Sequence, residues 1–232
     1  MFGRVGRAGL IPIRHRMTAE TSLLTPEIQN SFLMMRDILV LQPRREYSLF
    51  ESSVHRVLVA SDASYSMEKR VGEAGFLIVS DPGRPEETRA GGVIDIPEEL
   101  YKRWGDQETY ISQLELLAVL VAMTAFASVV RGSRGVWFID NVSALMAMVK
   151  GCSSVGSMDS MAKLAHLIGF SVGASAYYEY VQSKSNWADE ISREGFKGPW
   201  AKQRGFATFQ CSFPPILLDL PAWAVVQVFS FF

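Results

Sequence analysis

VLVASD, residues 57–62, is a short apolar run that closes on a serine and a carboxylate, and its reading decides the fold. A brief apolar segment, half of it β-branched and bounded by polar residues, reads as a buried strand. Residues 55–61 are therefore predicted to be a strand, with Asp62 at its end. GVWFID, residues 135–140, repeats the pattern and closes on Asp140. Between these two runs, residues 74–80 and 88–94 read as further strands, separated by the turn-rich DPGRPEE of residues 81–87. After Pro97 a connector containing Trp104 leads into a helix from about residue 108 to 130, stopped by Arg131 and Gly132. Beyond Asp140 the pattern gives a helix over 141–150 with Val142, Leu145, Met146 and Val149 inward, then a helix over 157–170, a strand over 174–181 and a last helix over 186–194. The order is βββαβααβα. Three consecutive strands with short links make an antiparallel meander, and strands separated by helices join by right-handed parallel crossovers. The expected fold class is α/β, a five-stranded mixed sheet with helices on both faces.

Four carboxylates stand at informative points of that scheme. Asp62 and Asp140 close strands, Glu115 lies within QLELLAVLVA (113–122), and Asp189 enters a helix in SNWADEISR (185–193). Singly, three of them have ordinary explanations, because Asp caps helices and strand-to-turn junctions and complements helix N-termini. Glu115 has none. Leu114, Leu116, Leu117, Val119 and Leu120 surround it, and residues 112–130 hold no Lys or Arg. A buried unpaired charge costs several kcal/mol, so its compensation comes from elsewhere in the fold or from a metal ion. Clustered carboxylates repel unless hard cations sit between them, and Mg²⁺ favours such oxygen ligands. The quartet reads as a two-metal phosphoryl-transfer site.

Composition excludes several classes. About half of the 232 residues are hydrophobic, enough for one ample core with flanking segments. Cys152 and Cys211 are too few for a disulfide framework or zinc site, and His15, His55 and His166 share no ligand spacing. Two dispersed cysteines suit a reducing compartment, so the expected location is intracellular, nuclear or cytoplasmic. No GxxxxGK[ST] or strand-anchored GxGxxG occurs, and no histidine has a motif-placed Ser or Cys partner. Met146, Met148, Met158 and Met161 read as core filler.

Charge is unevenly spread around a net of −1. Residues 55–194 carry thirteen Lys/Arg against eighteen Asp/Glu, whereas residues 1–50 carry seven against four. Nucleic-acid enzymes gain nonspecific affinity by neutralising phosphates, so the acidic middle should depend on a neighbouring basic module. Arg4, Arg7, Arg14 and Arg16 precede the first acid, Glu20; the composition is shared with transit peptides, and a basic arm is the preferred reading. Residues 25–41 place Ile28, Phe32, Leu33, Met35, Ile38, Leu39 and Leu41 at helical spacing, opened by TPE and ended by Gln42-Pro43-Arg44-Arg45. A domain boundary is expected between residues 47 and 54. At the other end FPPILLDLPAWAVVQVFSFF (213–232) is apolar but broken by Pro214, Pro215, Asp219 and Pro221. The stretch after the last proline is too short to span a bilayer, which suggests a docking tail or a piece of a larger polyprotein. The division is thus 1–53, a basic arm and helix; 54–194, the core domain; and 195–232, an apolar tail.

The element order and the contexts SDAS, QLELLA, FIDN and NWADEISR resemble the ribonuclease H domain, above all the version fused to retroelement reverse transcriptases of the DIRS-like and pararetroviral types. The resemblance covers about residues 54–194. It implies that Asp62, Glu115, Asp140 and Asp189 are the catalytic metal ligands, with Ser143 and Asn186 as helpers by adjacency, and that residues 22–47 are the remnant of a polymerase thumb or connection segment. It further implies two Mg²⁺, with Mn²⁺ as substitute: Asp62 bridges both, Glu115 and Asp140 complete one, and Asp189 completes the other. The substrate would be the RNA strand of an RNA/DNA hybrid, read through its 2′-hydroxyls, and the partner a reverse transcriptase polymerase domain.

The chain departs from that family in three ways. The loop before Asp189, residues 181–185, has no histidine, leaving Lys184 as its titratable helper. A basic handle helix is missing where GCSSVGSMDS (151–160) links two helices, and no polymerase pair of adjacent aspartates occurs. Two other readings stay open. One is a decayed or domesticated non-catalytic scaffold. The other is a transposase or exonuclease of the same superfamily: Glu190, beside Asp189, suits a transposase, whereas Ser64 stands where the exonucleases would carry a second acid.

Overall fold

Side chains of β1 (Arg56–Ser66) alternate between two environments, as a pleated strand requires. Val57, Val59 and Ala63 enter a large hydrophobic cluster, and Leu58 packs against a smaller one. β2 (Val71–Ser80) repeats the alternation, with Phe76 and Ile78 in the first cluster and Leu77 and Val79 in the second. A sheet buried on both faces follows. The computed structural model describes residues 3–18, 23–41, 54–218 and Val228. The boundary expected before residue 54, the helix stop at residues 42–45 and most of the tail beyond 218 lie outside the described residues.

The remaining strands are β3 (Thr88–Asp95), β4 (Arg134–Ile139), β5 (Ser175–Tyr180) and β6 (Ala207–Gln210). Their order across the sheet is β5-β4-β1-β2-β3-β6. β1, β2 and β3 are antiparallel neighbours, β4 runs parallel to β1, and β5 parallel to β4. This is the mixed ribonuclease H-like arrangement expected of βββαβααβα, with one addition. The sheet has six strands and not five, because β6 pairs in parallel with the outer edge of β3. Its four residues, ATFQ, are too few to show a pattern; they take up backbone groups that an open β3 edge would leave to water.

The helices are α1 (Gly3–Met17), α2 (Pro26–Leu41), α3 (Glu98–Trp104), α4 (Ile111–Ala125), α5 (Ala127–Val130), α6 (Val142–Lys150), α7 (Gly156–Ser171), α8 (Asp189–Glu194), α9 (Trp200–Gln203) and α10 (Pro215–Leu218). α4 is buried along Gln113 to Met123 and forms the centre of the larger cluster. Each fully buried leucine there, among them Leu114, Leu116, Leu117 and Leu120, contributes about 1.5–3 kcal/mol. On the opposite face Ile191 of α8, Ala201 of α9 and Phe206 build the smaller cluster. Among the described residues no helix is long and apolar enough to cross a membrane.

One expectation about a helix face is corrected. α6 turns Ala144, Ala147 and Met148 inward, leaving Val142, Met146 and Val149 exposed, because small alanines let the helix approach its neighbours closely. α2 buries Ile28, Ser31, Met34 and Ile38, while Phe32, Leu33 and Leu39 face outward. α1 crosses α2 at Gly9, where a Cβ would stand 2.9 Å from the Met35 sulfur, so glycine suits this close approach. Toward the C-terminus, Leu217 and Val228 are fully buried in the larger cluster.

Candidate metal centre

Register explains why two of the four carboxylates meet. β1 and β4 pair as far as Ala60 beside Phe138. Carrying that parallel register two residues further sets Asp140 beside Asp62, just past the end of β4. Ligands commonly bind outside the carboxyl ends of parallel strands, where such an edge opens. Asp62 itself does not close its strand as expected. β1 continues to Ser66, and Asp62 pairs with Gly75 of β2. Glu115 approaches from the first half of α4, and an oxygen of each of Asp62, Glu115 and Asp140 lies within 4.8 Å of the others.

Nothing basic neutralises this group. None of the three forms an ion pair with Lys, Arg or His among the described residues. Asp62 is 3% and Glu115 4% exposed, and Glu115 Oε2 has no hydrogen-bond partner among the described residues. Burial pushes the Asp62 carboxyl up to about 7, helped by the charges of Asp140 and Asp189 and opposed by a hydrogen bond from Ser192. Burial also raises Glu115, to about 10, with the charges of Asp62, Asp140 and Asp189 adding to it and the Ala63 backbone N–H opposing. An orphaned, buried carboxylate oxygen among like charges is the donor set a hard divalent cation requires. The residues fit such an ion.

Asp189 stands apart from the three. Its carboxylate accepts from Arg193 at 2.9 Å, one turn along α8, although its charge still reaches both Asp62 and Glu115. Asn186 is brought in: its Nδ2 donates to the Ser61 carbonyl at 2.9 Å and to Asp62 Oδ1 at 3.3 Å, while its Oδ1 accepts from the Ala188 N–H. Ser143 lies exposed on α6, and Lys184 lies exposed in a turn over Ser183–Ser185; among the described residues neither forms a hydrogen bond or ion pair with the carboxylates.

Ser192 and Gly75 complete the setting, and sequence reasoning passes over both. The Ser192 hydroxyl donates to Asp62 Oδ2, and the Ser64 hydroxyl donates to the Ser192 carbonyl at 2.6 Å. α8 reaches this position because Gly75 has no side chain; a Cβ there would meet the Ser192 nitrogen at 2.6 Å and Ile191 at 3.0 Å. The one signal for Ser192 is its place three residues after Asp189 on one helix face. Gly75→Ala should push α8 off the sheet, because backbone and not a flexible side chain is struck. Denaturant unfolding should show a loss of about 1–3 kcal/mol, with weaker divalent-ion binding in calorimetry, whereas a neutral alanine would mean that α8 does not orient Asp62.

No protein-family model matches the chain, and no curated protein matches it. Solved structures do. RNase H1 from the halophilic archaeon Halobacterium salinarum NRC-1 aligns with 61% of this chain and 97% of its own at 15% identity and a TM-score of 0.45. LC9-RNase H1, described as a type 1 RNase H with the type 2 active-site motif, aligns with 62% of this chain and 72% of its own at 17% identity and a TM-score of 0.44. The N-terminal RNase H domain of a Mycobacterium tuberculosis protein, solved as a fusion with maltose-binding protein, aligns with 66% and 99% at 13% identity and a TM-score of 0.44. At these identities the assignment to a ribonuclease H-like fold rests on the strand order and register of the chain itself.

Proposed function

We propose that this protein is a metal-dependent endonuclease of the ribonuclease H type, cutting the RNA strand of RNA/DNA hybrids as the nuclease part of a retroelement reverse transcriptase. One observation carries the reading: three carboxylates from β1, α4 and the end of β4 converge within 4.8 Å with no basic partner among the described residues. Asp62, Glu115 and Asp140 would hold Mg²⁺, or Mn²⁺ in its place, and Asp189 would join them on releasing Arg193. Bound divalent ions supply charge neutralisation, an activated water and stabilisation of the departing oxygen. Asn186 and Ser192 fix the Asp62 carboxylate from two sides, so its oxygens are oriented before any ligand arrives. Glu115, walled by leucines, keeps bulk water from the back of the site.

Asp140→Asn tests the proposal without disturbing the core, because Asp140 is only half-buried. Cleavage of a labelled hybrid in Mg²⁺ should fall about a thousandfold with the melting curve unchanged; retained cleavage by the purified variant would refute the assignment. A non-catalytic binding role has one observation in its favour, the Arg193 partner that holds Asp189. Failure of wild-type protein to cut the hybrid in either Mg²⁺ or Mn²⁺ would select that role. The exonuclease alternative is weaker, since Ser64 offers no carboxylate where a second acid is needed and its hydroxyl donates to the Ser192 carbonyl.

A further inference from the structure

The basic residues of the N-terminal arm do not trail away from the sheet. α1 packs on α2 and α7, and between these helices and the facing ends of α4, α6 and α7 runs a groove of about 1440 Å³. That volume exceeds the roughly 300–1,000 Å³ of small-molecule pockets and suits an extended polymer. Arg14 and Arg16 line one wall, and Lys150, Ser143 and Ser153 the other. No carboxylate among the described residues pairs with Arg14 or Arg16. Of the two acids in the lining, Asp159 is paired with Lys163 at 2.5 Å, leaving Glu27 as the remaining negative charge.

Two residues of the groove's lining stand close to the carboxylates along the chain. Ser112, in its lining, lies one helical turn before Glu115 on α4, and Ser143 lies three residues after Asp140. We infer that this groove is a phosphate track: the backbone of a nucleic-acid strand lies between α1 and the α6–α7 junction, with Arg14 and Arg16 neutralising its phosphates and serine hydroxyls fixing its register. The inference rests on the nuclease reading for the identity of the ligand. It also resolves the charge imbalance, because the acidic core gains its grip from the arm folded against it. Guanidinium groups and hydroxyls are the usual phosphate partners, and they position a strand without reading its bases. An acidic peptide would satisfy the arginines but would leave the divalent-ion site of the proposed nuclease unused.

Binding measured without cleavage separates the two claims. In EDTA, fluorescence anisotropy of a labelled RNA/DNA hybrid with the full chain should show Arg14→Ala/Arg16→Ala binding about tenfold to fiftyfold more weakly at about 0.1 M salt. The slope of log K against log salt should fall by about two, one for each lost phosphate contact. Arg14→Lys/Arg16→Lys should restore both, and thermal melting of the alanine variant should match wild type. Equal affinity and equal slope for the alanine variant would overturn the track while leaving the nuclease reading standing. Tight binding of polyglutamate with no binding of the hybrid would overturn it in favour of an acidic protein partner. Arginine-dependent hybrid binding by a wild-type protein that never cleaves would uphold the track and remove the nuclease.

Discussion

Glu115→Gln should make the metal-free protein more stable and at the same time abolish its divalent-ion chemistry. Glu115 is buried beside Asp62 and Asp140 with one oxygen unpartnered, and keeping its carboxyl protonated far above the ordinary carboxylate range costs folding free energy at pH 8. The amide introduced by the substitution is neutral without taking up a proton and can donate to either neighbouring carboxylate. At pH 8 the expected gain is on the order of 2 kcal/mol, which raises Tm by about 5 °C for a chain of this length. Hybrid cleavage should drop by about a thousandfold or more, the scale on which removal of a group stabilising transition-state charge is felt. Stability and activity therefore move in opposite directions at one position. Calorimetric melting in EDTA, paired with a Mg²⁺ cleavage assay, reads both; a destabilised Glu115→Gln variant would mean that the carboxylate is held by a protein partner.

The second large effect is a pH dependence that weakens when metal is added. Asp62 and Glu115 both have folded-state pKa values raised above those of the unfolded chain, by burial first and neighbouring charge second. The folded protein then binds more protons than the unfolded one between the ordinary carboxylate range and the raised values. Stability from these two groups is fully present below about pH 4 and is lost as pH rises, up to about 7 for Asp62 and about 10 for Glu115. The loss is on the order of several kcal/mol. A divalent cation binds the deprotonated carboxylates, so its stabilising effect should be small at pH 5 and large at pH 8, reaching about 2.7 kcal/mol at a hundredfold excess over Kd. Thermal melting at the two pH values, with and without excess Mg²⁺, should show the curves converging under acid; a pH-independent shift would argue that Mg²⁺ binds elsewhere.

How much of this is legible in the sequence varies element by element. VLVA and GVWFI read as buried strands because both faces of the central sheet are covered, and their apolar runs are nearly unbroken. Glu115 declares itself by its leucine surroundings. Its meeting with Asp62 and Asp140 follows from element order, since parallel crossovers bring the ends of β1 and β4 together. What stays hidden depends on contacts between segments distant in the chain. β6 is a strand only because β3 offers it an edge; ATFQ alone has too little pattern. The extension of β1 past Asp62 is set by pairing with β2, down to Ser66 opposite Val71. The space at Gly75 that admits Ser192 leaves no period in the sequence, whereas the Arg193 partner of Asp189 stands at i,i+4 spacing on the same helix and is open to reading. The inward face of α6 escapes a reading that weighs apolar size above fit, because Ala144 and Ala147 fill the narrow space.

Diffraction from a crystal soaked in Mn²⁺, with anomalous differences collected at the manganese edge, bears most directly on the carboxylate cluster. Manganese between Asp62, Glu115 and Asp140, with Glu115 Oε2 among its ligands, is the expected result. A map with no anomalous peak there, and the three side chains turned apart or matched with lysines and arginines, would contradict it.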